Sequence, residues 1–309
     1  MGISMKPFLM LLYLSCTVLA QVQEADLFPN SYDPSDISGI RILDVKEVSF
    51  KPIGDIKFTE ISALAYDKRE GLFALSDKGY LFRLELEIED KKIKSLRLQE
   101  ARVLKTKKGK PLGKKKSDAE GMSFTQEGLI ISFERHPKVS LYSLKGRKIE
   151  NYPLPGVLQK IKNYRKKNKA LEAVTRHPEF GIITAPEVPL KEGDEAIHTL
   201  YSLHKRWGFE ASGKITSIEL MKDDNLLLLE RDFNLLKGHT ITLKKLNIMK
   251  CDRGVCPTKT LASLKSTKGW KLDNFEGMTR VKDDLYLMVS DDNGSFLQRC
   301  LFVLFELKL

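Results

Sequence analysis

"DAEGMSFTQEGLIISFER", Asp118 to Arg135, holds two short apolar runs split by the turn-forming "TQEG" and bracketed by Glu120 and Glu134. That pattern reads as one β-hairpin with an acid at each open end. The template recurs as "SALAYDKREGLFALSD" (62–77), "EAVTRHPEFGIITAPE" (172–187), "TSIELMKDDNLLLLE" (216–230) and "EGMTRVKDDLYLMVSD" (276–291). In every copy the bracketing positions are 14 or 15 residues apart. A helix gives no reason for this spacing, whereas a hairpin with a turn of about four or five residues does.

Successive copies start about 45–60 residues apart, a period that marks a repeat architecture. The intervening stretches also read as strands: "YLFRLELEIEDKKIKSLRLQEARVL" after the first copy, "VSLYSLKGRKIENYPL" after the second and "HTITLKKLNI" after the fourth. Four antiparallel strands per unit, the first lining a central channel, is the anatomy of a propeller blade. The predicted fold is therefore all-β, a β-propeller of five or six four-stranded blades. Its last blade, ending "CLFVLFELKL", is one strand short, and the N-terminal "IRILDVKEVSF" (40–50) is free to complete it. Pairing of N- and C-terminal strands would then close the ring.

The 309 residues carry a formal charge of +11 and are 42% hydrophobic, enough for one large domain or two small ones. Lys6 precedes "PFLMLLYLSCTVLA", an apolar run of signal-peptide length that falls short of the ~20 residues of a spanning helix. Val18 and Ala20 suit a cut before Gln21. The expected layout is a signal peptide over 1–20, a linker over 21–38 and the propeller domain over 39–309. The protein is expected to be periplasmic or secreted, and monomeric. The alternative is a lipid anchor at Cys16 in "YLSC". Export gives meaning to "CDRGVC": Cys251 and Cys256 suit a disulfide across a hairpin tip, and two thiolates alone make a poor zinc set. Cys300, in "QRCLFVLFEL", reads as an apolar core residue.

In an antiparallel hairpin the first residue of one strand lies beside the last of its partner. Glu120 then neighbours Glu134, Glu172 neighbours Glu187, and Glu276 neighbours Asp291, all near one mouth of the channel. Asp77, Glu230, Asp292 and Asn293 are expected there too. Crowded carboxylates raise one another's pKa or recruit cations, and Lys78, Arg135 and Arg231 each follow a ring acid. One reading is structural, with ion pairs holding the blades together. In the other, Glu120, Glu172, Glu276 and Asp291 act in catalysis, Lys78, Arg135, Arg231 and Asn293 bind substrate, and Asp77, Glu134, Glu187, Glu230 and Asp292 hold a metal. Oxygen ligands without His or Cys favour Ca²⁺. Two basic runs, "KTKKGKPLGKKKSD" and "KIKNYRKKNK", lead into Glu120 and Glu172 and are expected above the same mouth, as a collar for an anionic substrate or as solvated loops. No nucleophile elbow or phosphate-cradling glycine loop is present, and no recognition helix or aromatic-studded strand accompanies the charge.

"DAEGM" with "SFER", "NKALEAV" with "PE", "LLLLERD", and "NFEGM" with "SDDN" and Gln298 together resemble the phytase-like esterase family of exported bacterial proteins, in that family's order and from Ile61 to Leu309. Ala173 and Ala63 stand where the family pattern has glycine. The resemblance implies a β-propeller and a hydrolase of phosphate or carboxylic esters. The competing function is a non-catalytic propeller that binds an anionic ligand or a protein partner.

Overall fold

The computed structural model describes residues 21–33, 37–113, 116–251 and 254–308. The expected signal peptide, and Cys16 with it, lies outside the described residues. The chain opens with β1 (Gln21–Glu24) and β2 (Ile40–Ser49). Blade one follows as β3 (Ile61–Asp67), β4 (Gly71–Ser76), β5 (Tyr80–Glu89) and β6 (Lys92–Val103). Blade two is β7 (Ala119–Thr125), β8 (Gly128–Phe133), β9 (Lys138–Tyr142) and β10 (Lys148–Tyr152). Blade three is β11 (Leu171–His177), β12 (Gly181–Pro186), β13 (Ile197–Tyr201) and β14 (Arg206–Glu210). Blade four is β15 (Lys214–Leu220), β16 (Leu226–Asn234), β17 (Gly238–Leu246) and β18 (Thr258–Lys265). Blade five is β19 (Asn274–Lys282), β20 (Leu285–Asp291) and β21 (Leu301–Leu307), completed by the strands that opened the chain. The expected all-β propeller is present, with five blades.

Closure follows the predicted route. β2 runs antiparallel to β21, with Ile40 opposite Leu307 and Glu47 opposite Leu301. Outside it β1, from the stretch expected to be a linker, pairs Gln21 with Ser49, so this sheet has five strands. The inner strands β3, β7, β11, β15 and β19 neighbour one another in turn, and β19 meets β3 again.

The second strand of each blade explains why the template's second run is the more apolar. Both faces of such a strand are covered by a neighbouring blade, so every residue of "GLIISF" in β8 is buried. Alternation persists beneath the apolar run. Leu129 and Ile131 pack toward Phe73 and Leu75 of blade one, while Ile130 packs toward Leu171 and Val174 of blade three. Five such apolar clusters exist, one per interface between adjacent blades. The outer strand β10, "KIENY", has no blade beyond it and is largely exposed.

Cys251 and Cys256 form the expected disulfide in the connection between β17 and β18. Cys300 is a free, buried thiol between blades five and one. Among the described residues no helix is long and apolar enough to cross a membrane.

Candidate active site

Each inner strand carries a β-bulge at the same place, near its first residues. The register skips between Ile61 and Ala63, Ala119 and Met122, Leu171 and Ala173, Ile215 and Ser217, and Phe275 and Gly277. The residues left without a ladder partner are Ser62, Glu120 with Gly121, Glu172, Thr216 and Glu276. A bulge re-aims a side chain and sharpens local twist, and here three of the five re-aimed positions are glutamates. Two bulge glycines let adjacent inner strands close up. A Cβ on Gly121 would lie 2.4 Å from Glu172 O, and one on Gly277 would lie 2.9 Å from Ala63 Cα. Ser132 Oγ links the same pair of blades, accepting from Gly121 N at 2.9 Å and donating to Glu172 O at 2.8 Å.

One residue beyond each ladder partner of the residue before the bulge, the second strand supplies the rest of the ring: Asp77, Glu134, Glu187, Arg231 and Asp291. Ile61, Ala119, Leu171, Ile215 and Phe275 pair with Ser76, Phe133, Pro186, Glu230 and Ser290, so in blade four it is Arg231 that stands beside the other four. Glu230 faces the other way. It is buried against Lys244 Nζ at 3.3 Å and accepts from Ser212 N at 2.8 Å.

Carboxylates from four blades converge at this mouth. Donor oxygens of Asp118, Glu120 and Glu134 lie within 4.8 Å of one another, as do those of Glu134, Glu172 and Glu187. Glu134 belongs to both groups. Burial, then Glu276, Glu134, Asp118 and Asp77, lifts the Glu120 carboxyl well above the usual range. Glu172 is lifted similarly by burial, Glu187 and Glu120. Burial and Asp118 push Glu134 up to about 8, and burial and Glu276 push Asp291 up to about 8. Asp77 is raised by burial and by Asp118. Burial also raises Glu276, but Arg231 and Asn274 oppose the shift.

On the floor the cations gather at Glu187 and Glu276. Lys169 Nζ approaches Glu187 at 2.5 Å and Lys214 Nζ approaches it at 3.5 Å. Arg231 Nη2 lies 3.2 Å from Glu276 and 3.9 Å from Glu187. The mouth's ion pairs thus go to Glu187 and Glu276, and at the rim to Asp118, which accepts from Arg135 Nε at 2.7 Å. Among the described residues none reaches Glu120, Glu134 or Glu172. Asn274 Nδ2 donates to Glu276 at 2.8 Å and to Asp291 at 3.4 Å.

The remaining expected site residues lie outward of this floor. Lys78 is paired with Glu60, and Asn293 Nδ2 donates to Gln298 at 2.7 Å. Asp292 Oδ1 accepts from Thr59 Oγ1 at 2.6 Å, Glu60 N at 2.8 Å and Gly294 N at 3.0 Å, which fastens its connection to blade one. Of the two basic runs, 160–169 delivers Lys169 to the floor. The other folds outward against blade two: Lys105 N donates to Gly146 O at 2.8 Å and Arg147 Nη2 to Lys107 O at 2.9 Å. Asp118, Lys169, Lys214 and Asn274 were not singled out from the sequence. Asp118 is within the opening stretch, and Lys214 faces Arg231 across the β15–β16 ladder, which only the register reveals. On blades four and five the mouth-side connections bear the most exposed large apolar residues, Leu235, Leu236, Phe296 and Leu297.

Fold and site together define a five-bladed β-propeller whose mouth is an oxygen-rich, half-compensated acidic floor. Residues 56–294 match the phytase-like family, described as "esterase-like activity of phytase", and the chain belongs to it. No curated protein matches the chain. Among solved structures, the Myceliophteria thermophila Cps50 (Swd1) β-propeller domain is similar at 9% identity, with 93% of this chain and 98% of that one covered and a TM-score of 0.41. A protein of unknown function from Bacteroides caccae is similar at 9% identity over 85% of this chain and 80% of that one, with a TM-score of 0.43. A putative gluconolactonase is similar at 12% identity over 93% and 98%, with a TM-score of 0.41. Likenesses this loose do not bear on chemistry.

Proposed function

We propose that the protein hydrolyses phosphate or carboxylic esters at the acidic mouth. One observation carries this reading: Glu120, Glu134 and Glu172 are crowded together and lack a cation partner, while Lys169, Lys214 and Arg231 face them. A purely structural ring would place its cations against its unpaired acids. Membership of the phytase-like family supports an ester as substrate class.

The donor set is all carboxylate oxygen, without His or Cys, and fits a hard divalent cation such as Ca²⁺. Asp118, Glu120 and Glu134, or Glu134, Glu172 and Glu187, would hold it. Bound there, the ion supplies Lewis-acid polarisation of an ester oxygen. The chain's own groups do the rest. Arg231 and Lys214 orient the substrate's anionic or carbonyl oxygens. Glu276, oriented by Arg231 and by Asn274, takes a proton from the attacking water. Asp291, whose carboxyl stays protonated to about pH 8, gives a proton to the leaving oxygen. Leu236 and Phe296 offer an apolar wall to an acyl or alkyl group. The apolar leader and the Cys251–Cys256 disulfide support export to the periplasm or beyond.

A second reading is a non-catalytic propeller that binds an anion. It is favoured by the pairing of Glu187 with Lys169 and Lys214 and of Glu276 with Arg231. Assays with p-nitrophenyl phosphate and p-nitrophenyl butyrate, each with Ca²⁺ and with chelator, separate the two. The hydrolase reading expects turnover that Glu120→Gln and Glu276→Gln each reduce at least ~100-fold without lowering the melting temperature. Absence of turnover on both esters, with thermal stabilisation by an anion, would establish the binder.

A further inference from the structure

Outside the mouth, on the flank of blade two, residues 106–112, Lys116 and the strands β9 and β10 line a cleft of about 820 Å³. Lys107, Lys108, Lys110, Lys116, Lys138 and Lys148 line it. Among the described residues, no carboxylate comes within ion-pair distance of any of the six. Glu150 is the single acid on the lining, at its edge. Elsewhere the protein pairs its cations freely, as at Arg41–Glu306, Arg165–Glu195 and Arg176–Glu127. Unpaired like charges of this density repel and need a reason to be held together.

Residues 105–107 are held in place. Lys105 N donates to Gly146 O, Lys148 N donates back to Lys105 O at 2.9 Å, and Arg147 grips Lys107 O through Nε and Nη2. Lys138 is pinned over the Phe133 ring, 4.0 Å from its centroid, with Nζ toward Lys116 O at 3.4 Å. Burial, with Lys148 and Lys116, pushes its ammonium down to about 8. Tyr142 forms part of the cleft's floor. Its side chain is fully buried and lines the cleft, yet its hydroxyl has no hydrogen-bond partner among the described residues. An oxyanion in the cleft would compensate the crowded ammonium groups, which no carboxylate does.

We propose that this cleft binds a cluster of phosphate groups, as a second site separate from the mouth. One phosphate meets only two or three ammonium groups at a time. Six lysines around one cleft therefore fit linked or adjacent phosphates, either in a free oligophosphate or in the headgroups of a lipid surface.

The test is calorimetric titration of the full mature chain with inorganic triphosphate, without Ca²⁺, alongside flotation with phosphatidylglycerol–phosphatidylcholine vesicles. Triphosphate is expected to bind, and to bind at least ~10-fold more weakly when salt rises from about 50 to about 500 mM. The double variant Lys138→Met/Lys148→Met should weaken binding at least ~10-fold. Lys107→Gln/Lys110→Gln, at exposed positions that leave folding untouched, should weaken it a few-fold. Arg231→Met, at the mouth, should leave triphosphate affinity unchanged, which keeps this site distinct from the catalytic proposal. Flotation that is lost in the lysine variants assigns the phosphates to lipid, and triphosphate binding without flotation assigns a free ligand. No binding of either probe at low salt overturns the proposal. So does binding that the Arg231 variant abolishes and the lysine variants do not.

Discussion

Burial and neighbouring carboxylates push the Glu134 and Asp291 carboxyls up to about 8 in the folded protein, whereas in an unfolded chain they titrate near their ordinary values of 4.5 and 3.8. The sign follows from linkage. The folded state holds these protons more tightly, so their contribution to stability is complete below about pH 4 and is lost as pH rises through about 8. In chelator, the melting temperature should therefore fall by several degrees from pH 6 to pH 9. Ca²⁺ should remove most of that slope, because a bound cation takes over from the protons, and adding it at pH 7 should release protons to the buffer. A melting temperature indifferent to both pH and Ca²⁺ would show that the carboxylates are not in tension. Glu120 shows how far sequence reaches at this scale. Its place at the start of a hairpin follows from pattern alone, but its lack of a cation partner depends on Lys169 and Arg231, from blades three and four, turning to Glu187 and Glu276 instead.

At the scale of the strand, the bulges do the positioning. Gly121 is the tightest case: an added Cβ would sit 2.4 Å from Glu172 O, 2.5 Å from Ser132 Oγ and 2.9 Å from Val174 N, two of them backbone atoms that cannot turn aside. Gly121→Ala should cost about 2 kcal/mol in denaturant unfolding and should cut turnover by spreading Glu120 from Glu172. In blade three the corresponding residue is Ala173, buried at 1% exposure and already accommodated. Ala173→Gly should accordingly leave the site intact. The Cys251–Cys256 disulfide imposes a different constraint. Reduction of that short loop should lower stability by about 2 kcal/mol, measurable as a lower melting temperature in dithiothreitol. Hairpins and turns were visible as apolar runs and turn residues. Bulges were not, since one unpaired residue leaves no compositional trace.

For the whole molecule, closure is the critical event. Ile40, Ile42 and Val45 of β2 join Val303 and Phe305 of β21 in the cluster that also seals blade five to blade four. A chain starting at Phe50 would leave β21 as an open edge with its apolar face bare. It should aggregate or expose dye-binding surface, and adding a peptide spanning 37–50 should restore part of the native near-UV signal. A truncated chain that stays monomeric and active would show that the ring does not need its N-terminal strand. The lysine cleft also belongs to this scale. The basic run before Glu120 was expected over the mouth, but backbone bonds from Lys105 to Gly146 and Lys148 draw it outward to blade two.

The order of hydrophobic and turn residues was sufficient for the all-β class, the repeating hairpin, the strand exchanged between the chain ends and the acids gathered near one opening. These are consequences of short-range pattern and of the need to bury two apolar faces per strand. The tertiary structure alone decided that Arg231, not Glu230, completes the inner ring. It also decided which carboxylates stay unpaired, and that the lysines gather on a flank. Such outcomes turn on register: one residue's shift in a strand reverses which face a side chain meets, and spacing known only to within a residue cannot choose between them.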